Sequence, residues 1–452
     1  MPFGKLEPIH ITKLVTISQF AKERIIIHFL EKVYVNLYSN FINYYIIMTL
    51  KRSLIPLIFL YIFCFSSAYI YADNDAVSEF LKRNGIPNSS VSVKIIDLED
   101  GSTIASHNEN SSLIPASILK SVTTAALLES TGPDWRYHTR IYIDGPNDLG
   151  YLRGNLIIEG ACDPTLNSDK EPYSEDIVEE ICQALSNQLI NRIEGNIIID
   201  ESNFSGDSHP SSWAKEDRNK YYGTGSHGLN YSDNANGDFA DHRPSSTFIN
   251  ILKRSLQNHN IDLEQKDMPE GRRIQIFDHQ SAPIDEIMRS CMMRSDNLFA
   301  ESMLRTYGKL EGCDGSTIQA AAHEMNLWEE KNLPLEGVRI VDGSGLSRSN
   351  KVTANFISEL LKEMSGNPHY ASFFPLAGQE GTLKKFLAGT SLDGYVAMKT
   401  GSMKGIQCYA GYKLDDDYMP THVIVIIMNE ITKSRDKAKE AAEKMLLKIF
   451  AE

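Results

Sequence analysis

Three short clusters in this chain bring together groups that could carry out acyl transfer: Ser117-Ile118-Leu119-Lys120, Ser295-Asp296-Asn297 and Lys399-Thr400-Gly401-Ser402. In the first, a hydroxyl and an amine lie three positions apart at the start of a stretch, Ser121 to Glu129, that reads as a helix and is stopped by Gly132-Pro133. Serine is a poor nucleophile until a base takes its proton, and a lysine kept from water can be that base. A helix start adds backbone N–H groups and positive potential for an oxyanion. The spelling alone is common, recurring at Ser212/Lys215 and Ser434/Lys437, and taken alone it reads as a solvated helix start.

Ser295-Asp296-Asn297 precedes the helical pattern Leu298 to Leu304, so its hydroxyl and carboxamide are expected on a turn between helices. There they can relay a proton and hold a substrate amide. Ser and Asp are also good helix caps, a purely structural reading of the same letters. A second copy, Ser232-Asp233-Asn234, runs into Ala-Asn-Gly-Asp and reads as a plain turn. Lys399-Thr400-Gly401-Ser402 is the single Lys-Thr-Gly of the chain and lies between two apolar strand runs. Glycine lets a ligand approach an edge strand closely. Lysine and threonine can bind a carboxylate there, and the Ser402 N–H can complete an oxyanion hole. A hairpin end with an exposed lysine is the structural alternative. Ser-x-x-Lys, then Ser-Asp-Asn 178 positions on, then Lys-Thr-Gly 104 positions later is the order of the penicilloyl-serine transferase set.

The elements that must hold these clusters divide the chain. From Met48, a basic Met-Thr-Leu-Lys-Arg start, an apolar run Leu54 to Phe65 and small residues up to Ala72 make a secretory signal peptide, with translation expected to begin at Met48. The run is short for a membrane span and holds Pro56. Residues 1–72 form an upstream extension plus this signal, and the rest works outside the cytoplasm, in the periplasm or its equivalent. The 452 residues carry a net charge of −14; the first 72 carry +4 and the remainder −18, which argues against nucleic acid as a partner. Loose association with the membrane or cell wall stays open. No Cys-x-x-Cys occurs among the six cysteines, so no metal is expected; Cys291 with Cys313 is one conceivable disulfide. The expected architecture is α+β: an antiparallel sheet flanked by helices, built from 73–137 and 241–452, with a mostly β insert at 138–240.

With the clusters placed, the sequence resembles the low-molecular-mass class C penicillin-binding proteins, the D-alanyl-D-alanine carboxypeptidase/endopeptidase family. The resemblance runs from about Val91 to Asn429 and includes Gly154-Asn155-Leu156, Asp163-Pro164-Thr165-Leu166, Gly195 to Asp200, Asp342-Gly343-Ser344-Gly345-Leu346-Ser347-Arg348 and Gly381-Thr382-Leu383. It implies a serine β-lactamase/transpeptidase-like fold. It also implies Ser117 as acylated nucleophile, Lys120 as base, Ser295 and Asn297 at the leaving group and substrate backbone, and Lys399, Thr400 and Arg348 at substrate carboxylates. Asp217 and Tyr222 look like the inserted wall that meets a diaminopimelate side chain. The implied substrates are peptidoglycan stem peptides, with β-lactams as covalent inhibitors and no cofactor. Only about a dozen residues, Tyr231 to Arg243, separate Leu229-Asn230 from the next helix, so one family subdomain is expected to be absent or vestigial. A class A β-lactamase would need a Glu-x-x-Leu-Asn between Ser295 and Lys399, and none is present. A β-lactam sensor or wall-binding module without useful peptidase activity is the non-enzyme alternative.

Overall fold

The run Val423 to Met428 is apolar at every position because both faces of its sheet are covered. Val423, Val425 and Ile427 enter one core, while Ile424, Ile426 and Met428 enter another on the opposite face. The computed structural model describes residues 75–170, 176–432 and 434–450. The expected signal segment, Met48 to Ala72, and Cys64 lie outside the described residues.

The chain begins with α1 (75–83), β1 (Val91–Asp97), β2 (Thr103–His107) and α2 (Lys120–Thr131). A region of short strands follows: β3 (His138–Ile143), β4 (Asn147–Asp148), β5 (Tyr151–Arg153), β6 (Leu156–Glu159), α3 (Ile177–Asn187), β7 (Arg192–Glu194), β8 (Ile197–Asp200), β9 (Ala235–Asn236), β10 (Phe239–Ala240), α4 (Pro244–Asn258), β11 (Asp262–Glu264) and β12 (Ile274–Gln280). The remainder is α5 (Ile284–Arg294), α6 (Asn297–Leu310), α7 (Thr317–Glu330), α8 (Ala354–Met364), β13 (Val396–Met403), β14 (Ile406–Leu414), β15 (Pro420–Met428) and α9 (Arg435–Phe450).

The main sheet has the order β13-β14-β15-β1-β2 and is antiparallel throughout. Side chains from α2, α5, α6, α7 and α8 build the core on one face; those from α1 and α9 build the core on the other. The strand-rich region forms two four-stranded sheets, β12-β3-β6-β8 and β11-β7-β5-β4, around a third core. The insert therefore extends further than the expected boundary at 240. Phe248, Leu252 and Leu256 of α4 pack with Ile141, Ile158 and Ile181, and β12 pairs with β3. The chain rejoins the main helical layer at α5. The short Tyr231 to Arg243 connection holds a 3-10 turn, Ser232–Asn234, and the β9–β10 hairpin. Cys291 and Cys313 are both free buried thiols, so that disulfide does not form. Among the described residues, no helix is long and apolar enough to cross a membrane.

Candidate active site

Ser117 sits in a single 3-10 turn, Ala116–Leu119, that feeds directly into α2. In 3-10 geometry side chains three apart eclipse one another, and Lys120 Nζ stands 3.0 Å from Ser117 Oγ. The turn is sharp: Ala116 holds a φ of 48°, where an L-residue is strained, immediately before the serine. Two glycines make room for it. A Cβ at 401 would lie 2.5 Å from the Pro115 carbonyl oxygen, and one at 345 would lie 2.5 Å from the Ala116 carbonyl carbon.

Lys120 is fully buried and donates to Asn297 Oδ1 at 2.7 Å and to the Ser344 carbonyl at 2.6 Å as well as to Ser117. Burial pulls its pKa below the usual lysine range, although Cys291, Asp296, Asp342 and Glu301 act in the other direction. A lysine so placed surrenders its proton readily and can take one back from a serine hydroxyl.

Ser295 ends α5 in the left-handed conformation, φ 60° and ψ 41°, and Asp296 then caps α6 by accepting from Phe299 N at 3.0 Å. The break between the two helices turns Ser295 Oγ toward Lys399, whose Nζ donates to it at 2.8 Å. Lys399 is buried; burial first, and then the nearby Lys120 charge, hold its pKa well below normal. Ser117, Lys120 and Asn297 thus form one set of contacts and Ser295 with Lys399 a second, close enough that the Lys120 charge acts on Lys399.

β13 is an edge strand of the main sheet. Near its start, Met398 N donates outward to the Pro375 carbonyl, and the Val396 carbonyl accepts from Ala377 N. By the period of two, Thr400 and Ser402 turn their peptide groups to the same open edge. The Thr400 hydroxyl donates to Thr382 Oγ1 at 2.8 Å, and Arg435 donates to Ser402 Oγ at 2.6 Å. Arg348 is exposed, its guanidinium on the Lys404 carbonyl at 3.2 Å. Tyr222 OH donates to Asp217 Oδ1 at 2.9 Å, and the Tyr222 carbonyl accepts from Asn297 Nδ2 at 2.7 Å. The wall segment therefore touches the central cluster through its backbone.

Residues beneath the site have no part in the three clusters. Glu301 accepts from Gly343 N and Ser344 N at 3.1 and 2.8 Å, which aims the Ser344 carbonyl at Lys120. Asp342 accepts from Gly345 N, Ser347 N, Asn350 Nδ2 and, at 2.8 Å, from Trp213 Nε1 of the insert. Burial and then Asp342 raise the Glu301 pKa, and burial pushes that of Glu324 up to about 8. For Glu301 and Glu324 the only signal in the sequence is an acid on a helix, whereas Asp342 opens the Asp342 to Arg348 stretch that carries part of the resemblance.

Behind the wall, Trp213 packs edge-on against His209, with His242 at 5.5 Å between ring centroids on the other side. Nε2 of His209 and of His227 is buried without a hydrogen-bond partner. Burial, then His242 and His227, pull His209 down to about 4; burial, then Arg305, do the same to His227. A depressed histidine contributes stability that is full above its unfolded value near 6.5 and is lost as pH falls toward 4. Between those limits His227 should account for a loss of roughly 3 kcal/mol. Urea unfolding of wild type and His227→Gln across this range checks it: the variant should show the shallower pH dependence, and parallel curves would refute the assignment.

The model of the D-Ala-D-Ala carboxypeptidase 3 (S13) family matches residues 73–237 and 233–449. The carboxypeptidase DacB of Mycolicibacterium smegmatis is 27% identical over 342 residues, covering 71% of this chain and 73% of that protein. The D-alanyl-D-alanine carboxypeptidase DacB of Haemophilus influenzae is 22% identical over 402 residues, covering 70% and 80%. A crystal structure of penicillin binding protein 4 (dacB) from the same organism shares the fold, with a TM-score of 0.71 at 20% identity over 82% of this chain and 98% of that one.

Proposed function

The chain belongs to the D-Ala-D-Ala carboxypeptidase 3 (S13) family, and from that premise we propose that it is an exported serine peptidase working through a Ser117 acyl-enzyme. The single observation that carries this reading is the contact of a buried, pKa-lowered lysine with Ser117 Oγ at 3.0 Å. The substrate is a peptidoglycan stem peptide ending in D-alanyl-D-alanine, entering as an extended strand along the open edge of β13.

Ser117 Oγ attacks the carbonyl between the two D-alanines while Lys120 Nζ takes the hydroxyl proton. The developing oxyanion lies between the Ser117 and Ser402 N–H groups. Collapse of the tetrahedral intermediate breaks the C–N bond. The departing amine takes the Ser295 Oγ proton, which Lys399 Nζ, in contact with it, replaces. Water then attacks the ester and passes a proton back through Ser295 to Lys399, while Lys120 Nζ returns its proton to Ser117 Oγ as the ester C–O bond breaks. Thr400 and Arg348, the latter with a guanidinium free of any carboxylate partner among the described residues, bind substrate carboxylates. Asp217 and Tyr222 meet the side chain at the third stem position. A cross-linked stem can leave in place of D-alanine, which makes the same site an endopeptidase. A β-lactam acylates the same serine, and its tethered leaving group slows hydrolysis.

The test uses the chain from Asp73 onward with a labelled penicillin and, separately, a pentapeptide ending in D-alanyl-D-alanine. The expected outcome is a long-lived adduct mapping to the Ser117 peptide, together with free D-alanine from the pentapeptide. An adduct without cleavage of either pentapeptide or cross-linked muropeptide would favour a sensing module. Rapid penicillin turnover would favour a β-lactamase, and no adduct would refute the reading.

A further inference from the structure

The second Ser-Asp-Asn copy is more than a plain turn. Ser232, Asp233 and Asn234 all hold positive φ, 51°, 57° and 48°. Three such residues in succession cost of order 1 kcal/mol each, and such strain persists only where the surroundings impose it. Here the imposing segment is the loop after Asp163-Pro164-Thr165-Leu166. Ser232 N donates to the Leu166 carbonyl at 2.9 Å, Asn167 Nδ2 to Ser232 Oγ at 2.7 Å, and Ser168 Oγ to Asp233 Oδ1 at 2.6 Å.

At the end of that loop Lys170 reaches into the active site. Its Nζ lies 2.6 Å from Asp296 Oδ2 and 3.4 Å from Asp233 Oδ1, so one ammonium bridges the middle residues of both Ser-Asp-Asn copies. Ser290 of α5 donates to the Lys170 carbonyl at 3.3 Å. Burial opposes the charge, but Asp296 and then Asp233 outweigh it and keep Lys170 cationic. Asp296 is divided between two duties: one oxygen caps α6 and the other holds Lys170.

We propose that Lys170, seated on Asp233, is a positioning residue that fixes the Ser295–Asn297 turn, an inference that rests on the peptidase reading above. Asp296 lies between the two side chains that matter. Ser295 Oγ faces Lys399 on one side of it, and Asn297 Oδ1 faces Lys120 on the other. Without the bridge the α6 cap remains, so the helix persists. The turn then loses the brace that sets both contacts at once. Misplacement of about 1 Å in such a constellation can cost up to about 100-fold in rate.

The experiment compares wild type, Lys170→Met, Lys170→Arg and Asp233→Asn, each purified after export. Two readouts are used: kcat and KM for D-alanine release, and the rate of penicillin acylation. Lys170→Met should lower kcat and the acylation rate about tenfold with KM within about twofold, and Lys170→Arg should recover most of the loss. Asp233→Asn should lower kcat about threefold, since it removes the weaker carboxylate only. A kcat for Lys170→Met within about twofold of wild type overturns the proposal. A raised KM with kcat unchanged also overturns it, because that would make Lys170 a substrate contact. Should Lys170→Met fail to fold, an unchanged Asp233→Asn overturns it instead. Should wild type release no D-alanine, the peptidase reading fails, and the clamp is judged by acylation alone.

Discussion

Lys120→Met should lower kcat/KM for D-alanine release, and the rate of penicillin acylation, by about 10³ to 10⁴-fold, equivalent to roughly 4 to 5.5 kcal/mol of barrier. Methionine keeps the length of the side chain but neither accepts the Ser117 proton nor returns it. Three neighbours of Nζ lose their partner in the variant: Ser117 Oγ, Asn297 Oδ1 and the Ser344 carbonyl. Stability should change little, because removing a buried amine saves its desolvation while leaving these three acceptors without it, and these effects oppose each other. The loss should fall on kcat rather than KM, since the lysine acts on the serine and not on bound peptide. The pH profile sharpens the test. Burial lowers the Lys120 pKa, so the neutral amine is available at lower pH than for a free lysine, and the alkaline requirement of an ordinary amine should be absent in wild type. Residual activity in Lys120→Met near wild type would mean that another group is the base, with Lys399 across the cluster as the alternative.

How far this site was legible in the letters depends on the scale of the feature. The three clusters are legible because each needs particular functional groups, and the structure brings Ser117, Lys120 and Asn297 into contact and sets Ser295 on Lys399. The stop of α2 at Gly132, with φ 74°, is a short-range effect and equally readable. α4 is amphipathic, and its period predicts a helix, but period says nothing of which core receives the apolar face. Only the packing of Phe248, Leu252 and Leu256 assigns α4 to the insert. The Lys170 bridge spans 126 residues to Asp296 and involves no apolar pattern, so neither spacing nor periodicity could announce it. Asp342 is similar: it holds Trp213 from 129 residues away and thereby ties the wall to the loop that carries Ser344. The positive φ of Ala116 follows from tertiary crowding, because nothing about alanine favours it.

That crowding supports the second large effect, at Gly345. Its φ is +79°, and an added Cβ would lie 2.5 Å from the Ala116 carbonyl carbon and 3.2 Å from Leu119 Cβ. Both neighbours belong to the turn that presents Ser117, and Ala116 is already strained, so the turn cannot yield without rotating the nucleophile. Gly345→Ala therefore combines a left-handed alanine, costing about 1 kcal/mol, with displacement of the serine from Lys120. Activity should fall by about 100-fold or more. Gly85→Ala separates the two causes. Gly85 has a similar φ of +70° but nothing within 4 Å of its added Cβ. It should show the backbone cost in thermal unfolding with kcat unchanged. If Gly345→Ala behaves like Gly85→Ala, losing stability but acylating with penicillin at the wild-type rate, then the turn is softer than its contacts imply. The 3.0 Å Ser117–Lys120 approach would then not depend on the Asp342–Arg348 loop. If acylation collapses while the protein stays folded, the loop is what holds the nucleophile against its base. Glu301 and Asp342, which anchor that loop from below, would then be the residues to vary next.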